Sequence, residues 1–450
     1  MGIYSKGKRF YSMKKIILFL TLFFLMVILW VSNFPNSNSV SKKQTLSICT
    51  EEILKPVVED MIKYFIDSQD NAMDFQVTYI PLETMQREGI CKKLRTELMS
   101  GKGKDIYLLS EHQRLIDLYS NDENLLLPDA NKILYSGVFM DLSPFTASDS
   151  SFQSCFTSVT KAGTVKNKQY IMPFSFDFCA LKRKADNTSS LEIDDCEIPL
   201  ADLLDQKKPE DLNTAELLFN VKNWIGNSFD YQAGKVFFSK EDVQKILEVS
   251  AIQDKKTIDS GSNNPSFIYG RTQSLFYSTV EEGTEYEYIP APTINGKPTA
   301  TVFSYGAIGR TCRQPETAYK FLRLFWQEEF VSGEGFSIEK EGFTAHYCIN
   351  SIFELEGIPI QSKQWEAWYI KKNGTNSPSK TLLKNADHFI DAINYITDTR
   401  FLCTADEIGN EIQNMLLKDS SDSQNNIKMQ KNIEEASEML FNKIRYMVME

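Results

Sequence analysis

The sequence predicts an α/β protein of two lobes whose C-terminal part is mostly helical. Three observations carry that expectation. Apolar residues switch between strand and helix spacing from residue 45 to 109. A proline-marked extended stretch at 166–177 separates this run from a second alternation reaching residue 282. A second proline-marked stretch, 286–292, precedes the long β-rich run 299–310.

Residues 45–50 read as a strand with Leu46 and Ile48 on one face. Leu54, Val57, Val58, Met61, Ile62 and Phe65 then recur at helical spacing, and Pro56 fits that helix only in its first turn. Phe75, Val77 and Tyr79 alternate as a second strand. A helix through Ile90, Leu94 and Leu98 closes at Gly101, and the turn 101–105 leads into a buried strand at 106–109. Strand, helix, strand, helix, strand makes a parallel sheet, and such sheets bind ligands beyond the carboxyl ends of their strands. That singles out Glu51 after the first strand and Ser110 and Glu111 after the third. Glu51 beside a helix N-terminus equally fits a capping role.

Residues 111–119 read as helical, and 137–142 leads into Ser143-Pro144-Phe145. Residues 159–170 read as a hairpin turning at Lys166-Asn167-Lys168, since Asn tolerates the left-handed conformation. Pro173 fixes its own φ and biases Met172 towards extension, so the chain is expected to cross there from one unit to another. Helical patterns follow at 215–227 and 241–253, then a loop at 261–265, a strand at 267–269 and a helix at 272–282. The run 299–310 is apolar enough to rejoin the first core. Ala318, Phe321, Leu322 and Phe325 mark a helix over 315–330, and 342–349 is a third extended piece. Helices at 365–371, 386–399, 405–417 and 425–449 complete the chain. The expected division is 1–43 as leader or anchor plus linker, 44–172 with 291–345 as lobe 1, and 173–290 with 346–450 as lobe 2.

The chain has 450 residues, enough for two or three domains. Its formal charge is 49 − 60 = −11, which argues against a nucleic-acid binder. Lys and Arg precede the apolar stretch 16–31, which reads as a cleaved signal peptide or as an uncleaved anchor; either places residues from about 44 onward outside the cytoplasmic membrane. Eight Cys show no C-x-x-C spacing, and both disulfides and buried hydrophobes fit them. No metal site, cofactor motif, Walker A, H-E-x-x-H or G-x-S-x-G is present, so no catalytic residues and no cofactor are assigned. Acidic pairs such as Glu51-Glu52 leave an anchored glycoside hydrolase as an alternative, although 60 acids produce such pairs by chance.

Aromatics are the more useful signal, because sugar rings present apolar faces and hydroxyl edges. Phe174, Phe176, Asp177, Tyr269, Arg271 and Tyr305 lie at or near the inferred crossings and strand ends, where core packing is the competing role. Trp224, Trp365 and Trp368 are further candidates; the last two share one side of a helix and fit a helical interface as well as a ligand.

Several segments, in their order, resemble bacterial extracellular solute-binding proteins of the sugar-binding class that serve ABC importers. They are 94–105 (LRTELMSGKGKD) with the strand after it, 137–145 (GVFMDLSPF), 168–174 (KQYIMPF), 305–310 followed by 315–324 (PETAYKFLRL), and 436–450 (ASEMLFNKIRYMVME). The resemblance implies a two-lobed, periplasmic-binding-protein-like fold of type II, three hinge crossings, a small-molecule solute (an oligosaccharide) clamped between the lobes, and a membrane permease as partner. It also leaves open a ligand sensor for a membrane kinase. Asn167 departs from the Gly common at the family's hairpin, and the lipoprotein Cys of Gram-positive relatives is missing.

Overall fold

A computed structural model describes residues 44–449 apart from 69–72, 112–123, 187–195, 207–211, 214–216, 218–220, 260–266, 273–274, 276–282, 332–335, 341–342, 348–356, 366–368, 370–378, 404–407 and 418–425. The apolar stretch 16–31 and the expected helices at 111–119, 272–282 and 365–371 fall wholly or mostly outside those residues. Among the described residues no helix is long and apolar enough to cross a membrane.

The first part follows the periodicity of its sequence. Strand β1 (Gln44–Glu51) is followed by helix α1 (Lys55–Ser68), with Pro56 in its first turn. Then come β2 (Met73–Ile80), α2 (Thr84–Met99) and β3 (Ile106–Ser110). β1 and β3 pair in parallel, Ile48 opposite Ile106. The expected hairpin at 159–170 is confined to β4 (Thr164–Val165) and β5 (Lys168–Gln169), because two short helices occupy Thr157–Thr160 and Lys161–Gly163. Lys166 (φ 50°) and Asn167 (φ 62°) are both left-handed, the geometry of a two-residue type I′ turn.

Pro173 does not end a unit. It lies inside β6 (Ile171–Asp177), a fully buried strand of the same sheet, and the chain passes to the second sheet only at Phe178. A proline is tolerated there because the ladder is irregular. The register against β13 (Thr299–Ile308) shifts on both sides of the Ser304–Ser175 pair, leaving Phe303 and Phe174 as extra residues. The seven-stranded sheet runs β16-β6-β13-β3-β1-β2, with β16 (Ile358–Pro359) at one edge and β17 (Asp398–Phe401) beside the first half of β13. Gly306 lets this sheet be covered closely: a Cβ there would meet the Leu322 side chain and lie 2.5 Å from Phe174 Cζ.

The second sheet has four strands in the order β12-β7-β11-β8. They are β7 (Cys179–Lys184), β8 (Leu212–Asn213), β11 (Phe267–Arg271) and β12 (Tyr286–Pro290). Between them lie α3 (Leu200–Gln206), α4 (Val221–Ile225), the hairpin β9–β10 (Phe229–Asp230, Lys235–Val236) and α5 (Lys240–Asp259). The helix expected at 215–227 is described only over Val221–Ile225.

After β13 the expected single helix over 315–330 is broken. α6 (Pro315–Leu322) gives way to a tighter 3₁₀ turn at Arg323–Trp326, and a further turn at Glu328–Val331 follows. The third extended piece is no crossing: β14 (Phe336–Lys340) and β15 (Phe343–Tyr347) form an antiparallel pair of their own. Both segments alternate with a period of two, a hairpin pattern that the single-segment reading missed. α7 (Lys380–Asn394) ends five residues before the expected 399, since Asp398–Phe401 is β17. α8 (Ile408–Leu417) and α9 (Asn426–Met449) then join the second core, and Lys240 Nζ at the start of α5 lies 3.4 Å from Glu438 of α9. The chain therefore passes between the sheets at Phe178 and at 291–298 and leaves the first sheet for α8 and α9 after Phe401; α7, between β16 and β17, packs on β12, where Asn385 accepts the Tyr286 N–H at 2.7 Å.

The apolar residues form two clusters: one on the seven-stranded sheet that continues through Phe178, Ala180, Tyr286 and Tyr288 on to the second sheet and α7, and one among the second sheet, α3, α5 and α9. The seven described Cys are all free and buried. Burial pushes the Cys49 thiol well up and that of Cys91 up to about 11, so both behave as small hydrophobes.

Candidate functional site

The passages converge on the middle of β13. Ser304 pairs with Ser110 at the end of β3, and Val302 pairs with Phe401 at the end of β17. β3 runs against β13 and β17 runs with it, so the carboxyl ends of these two strands meet across the bulged Phe303. The Phe303 carbonyl accepts the Glu111 N–H at 2.7 Å. β1, parallel to β3, brings Glu51 to the same end. On the other edge of β13, Asp177 ends β6 opposite Thr301. The end of β11 in the second sheet supplies Arg271 and Thr272.

Asp177 is the centre of this crossing and is fully buried. Arg271 Nε donates to its Oδ2 at 2.8 Å, and Arg271 Nη2 lies 2.8 Å from the same oxygen. Its Oδ1 accepts the Phe178 N–H at 2.9 Å and the Thr272 hydroxyl. The Thr272 N–H in turn donates to the Phe178 carbonyl at 3.0 Å, so the passage is pinned from both sides. A buried carboxylate needs such partners to stay charged. The Arg271 guanidinium, 18% exposed, also stands 5.1 Å from the centre of the Phe303 ring, a cation–π contact.

A second set of polar groups lies on the β3 side. Tyr305 donates its hydroxyl to Glu111 Oε1 at 3.0 Å, with both side chains buried. The hydroxyls of Ser175 and Ser304 share a hydrogen bond of 2.5 Å. Glu51 takes a two-pronged bond from Arg87, Nη1 to Oε2 at 2.7 Å and Nη2 to Oε1 at 2.9 Å. Burial pushes the Glu51 carboxyl up, against the pull of Arg87. Glu51 caps no helix through its side chain, so the capping role read from sequence is replaced by a buried ion pair. Asn131 holds the end of β17, accepting the Phe401 N–H at 2.9 Å and donating to its carbonyl at 3.0 Å.

The remaining sequence candidates lie elsewhere. Phe174 stacks on Phe325 at 4.9 Å inside the first core, and Phe176 sits there between Phe156 and Phe178. Trp224 belongs to the second core and donates its indole N–H to the Leu217 carbonyl at 2.9 Å. Tyr269 is buried in that core too. Trp365 stacks on Phe389 of α7 at 4.8 Å, and Trp368 lies outside the described residues. The structure thus brings Glu111, Asp177, Arg271 and Tyr305 to one region together with Glu51, and places Phe174, Phe176, Trp224, Tyr269 and Trp365 inside the two apolar clusters. Sequence reasoning missed Phe303, Thr272 and Asn131. Phe303 sits in an unbroken apolar run, where nothing signals a bulge.

Among the described residues no group of three His, Cys, Asp or Glu side chains is arranged to hold a metal ion. Two cavities lie away from the crossing. One, of about 440 Å³, is bounded by the β4–β5 hairpin and the short helices before it; the other, of about 80 Å³, lies at the far end of β13.

No protein-family model matches this sequence, and no curated protein matches it. Solved structures do. The chain is similar to an extracellular solute-binding protein family 1 member from Alicyclobacillus acidocaldarius at 12% identity and a TM-score of 0.53, over 91% of this chain and 99% of that one. The sugar-binding protein MalE from Xanthomonas citri aligns at 13% identity and a TM-score of 0.49, over 90% and 100%. The cyclic alpha-maltosyl-1,6-maltose binding protein from Arthrobacter globiformis aligns at 13% and 0.47, over 90% and 99%. At these identities the likeness is one of fold. The chain has the α/β fold of the type II periplasmic binding proteins, as the sequence led one to expect.

Proposed function

We propose that this protein is an extracellular solute-binding protein that captures a carbohydrate between two lobes and delivers it to an ABC-type permease in the membrane. One lobe is built on the seven-stranded sheet and the other on the four-stranded sheet, with the three passages as the hinge. The observation that carries the reading is the Asp177–Arg271 ion pair. It joins the two sheets at the point where the carboxyl ends of β3, β11 and β17 converge. That is where ligands bind in open α/β sheets.

The chemistry of the crossing suits a neutral polyhydroxylated solute. Sugar hydroxyls both donate and accept, and Glu111 and Asp177 accept, Arg271 donates and Tyr305 does both. Phe303 adds a flat apolar face beside Arg271. These groups are bonded to one another here, which we take as the closed, solute-free arrangement; hinge opening frees them, and a solute that re-pairs them favours closure by its differential affinity. Binding without bond-making is the whole activity in this reading, and the site works outside the cytoplasmic membrane.

A thermal-shift screen against mono- and oligosaccharides tests this. At least one should raise the melting temperature in a saturable way. A panel in which no sugar does so, while a peptide or an amino acid does, removes the carbohydrate assignment.

A further inference from the structure

We propose that the cavity at the far end of β13 binds a small tetrahedral oxyanion of the phosphate type, held by Lys104 and Arg310. The cavity, of about 80 Å³, lies between the end of α2, the turn after it, the segment at Ser136–Val138 and the residues following β13. It is about 20 Å along the strand from Phe303, so it is separate from the crossing.

The cavity has a built frame. The Tyr107 hydroxyl accepts the Lys104 N–H at 2.8 Å, and a Cβ on Gly103 would collide with that hydroxyl. A Cβ on Gly309 would collide with the Lys104 carbonyl. The Arg310 N–H donates to the Val138 carbonyl at 2.9 Å, and Arg310 Nη1 lies 3.9 Å from where a Cβ on Gly137 would stand. Two glycines thus allow close backbone approach, and Lys104 and Arg310 both line the space that results.

Lys104 is partly exposed and Arg310 is exposed, so both cations are open to solvent and to an incoming anion. The protein carries a formal −11, yet among the described residues neither Lys104 nor Arg310 forms an ion pair. The adjacent carboxylate, Asp105, is spent on Ser47, whose N–H and hydroxyl reach it at 2.9 and 2.7 Å. The backbone N–H groups of Gly101, Lys102, Lys104, Gly309 and Arg310 are all bonded within the protein, so side chains carry the recognition. Thr311 is also part of the lining. The space exceeds the ~10–15 Å³ that one water needs and admits a small anion. It is well below the roughly 300 Å³ at which pockets for larger ligands begin. Guanidinium and ammonium groups are the usual partners of such an anion.

Cations near the end of α2 also suit its helix dipole, and the test separates the two roles. Melting temperature is measured in sodium phosphate and in sodium chloride at matched ionic strength, with glycerol phosphate as a third arm and titration calorimetry alongside. The expected result is a saturable rise with phosphate beyond chloride, lost in Lys104→Gln/Arg310→Gln and reduced at least tenfold in affinity in Arg310→Gln alone. A response to glycerol phosphate only assigns the anion to an ester and supports the site. An equal rise in chloride, no rise, or a phosphate rise that survives in both variants overturns it. If the cations serve only the helix end, the variants melt lower by the same amount in both salts and the wild type shows no phosphate-specific rise.

Discussion

Removing the carboxylate at the crossing should be among the most damaging single changes in this protein. Asp177→Ala deletes the acceptor of three donors: the Arg271 guanidinium, the Thr272 hydroxyl and the Phe178 N–H. Thr272 and Asp177 are fully buried and the Arg271 side chain is only 18% exposed, so water replaces the lost partner poorly. A hydrogen bond to a charged group contributes about 1.5–3 kcal/mol, and each buried donor left orphaned costs about 1–3 kcal/mol. The two figures describe the same loss and do not add; with solvent reaching Arg271, the expected cost is about 3–5 kcal/mol, the range seen when one partner of a buried ion pair is removed. Urea unfolding followed by tryptophan fluorescence reads the change as a lower midpoint. Arg271→Ala in the Asp177→Ala background should cost much less than Arg271→Ala alone, because the stranded cation is gone. A loss below about 1 kcal/mol for Asp177→Ala, or strictly additive effects in the double variant, would refute this reasoning.

Three further changes follow from the same geometry. Gly306→Ala places a Cβ against Leu322 and 2.5 Å from Phe174 Cζ, and should destabilise by about 1–3 kcal/mol in urea unfolding, with partial recovery in Gly306→Ala/Phe174→Leu. Lys166→Gly relieves a non-glycine residue at φ 50° and should leave stability unchanged or raise it by about 0.5–1 kcal/mol; a clear loss would mean the Lys166 side chain has a packing role. Burial lowers the Lys182 amine to about 8 from its ordinary 10.5. The unfolded chain then binds the extra proton between those values, so stability rises with pH from about 8 to 10.5, by roughly 3 kcal/mol if the shift is fully expressed. Lys182→Met should remove that rise, and a variant whose stability follows the same pH slope as wild type would contradict it.

Periodicity made the first half of the fold legible. β2 and the two helices are half-buried with an apolar face, while β1 and β3, more fully buried, show as short apolar runs bounded by turns. β13 was legible as a long buried strand, but not the bulge at Phe303, since apolar runs carry no register. Pro173 misled for the same reason: a proline marks a break in hydrogen bonding, and a bulge accommodates one without ending the strand. Among the candidate residues, Asp177, Arg271, Glu111 and Tyr305 were proposed from their places at or near the inferred crossings and strand ends, and the structure brings them to one region. Phe174, Phe176, Trp224 and Trp365 were singled out as flat rings, and a ring at core spacing is a packing residue by the same chemistry that suits it to a sugar. The third passage was placed at 342–349 and lies after Phe401, because β16 and β17 are two and four residues long, too short to show a period.

The central claim is that a solute is held at the crossing of the two sheets. Titration calorimetry with the saccharide that most raises the melting temperature, on wild type and on Glu111→Gln, tests it most directly. The variant keeps the size of the side chain and an acceptor for the Tyr305 hydroxyl while removing the charge. The expected result is at least a tenfold weaker dissociation constant with the unfolding midpoint little changed. An unaltered dissociation constant in a folded variant would contradict the placement of the solute beside Glu111.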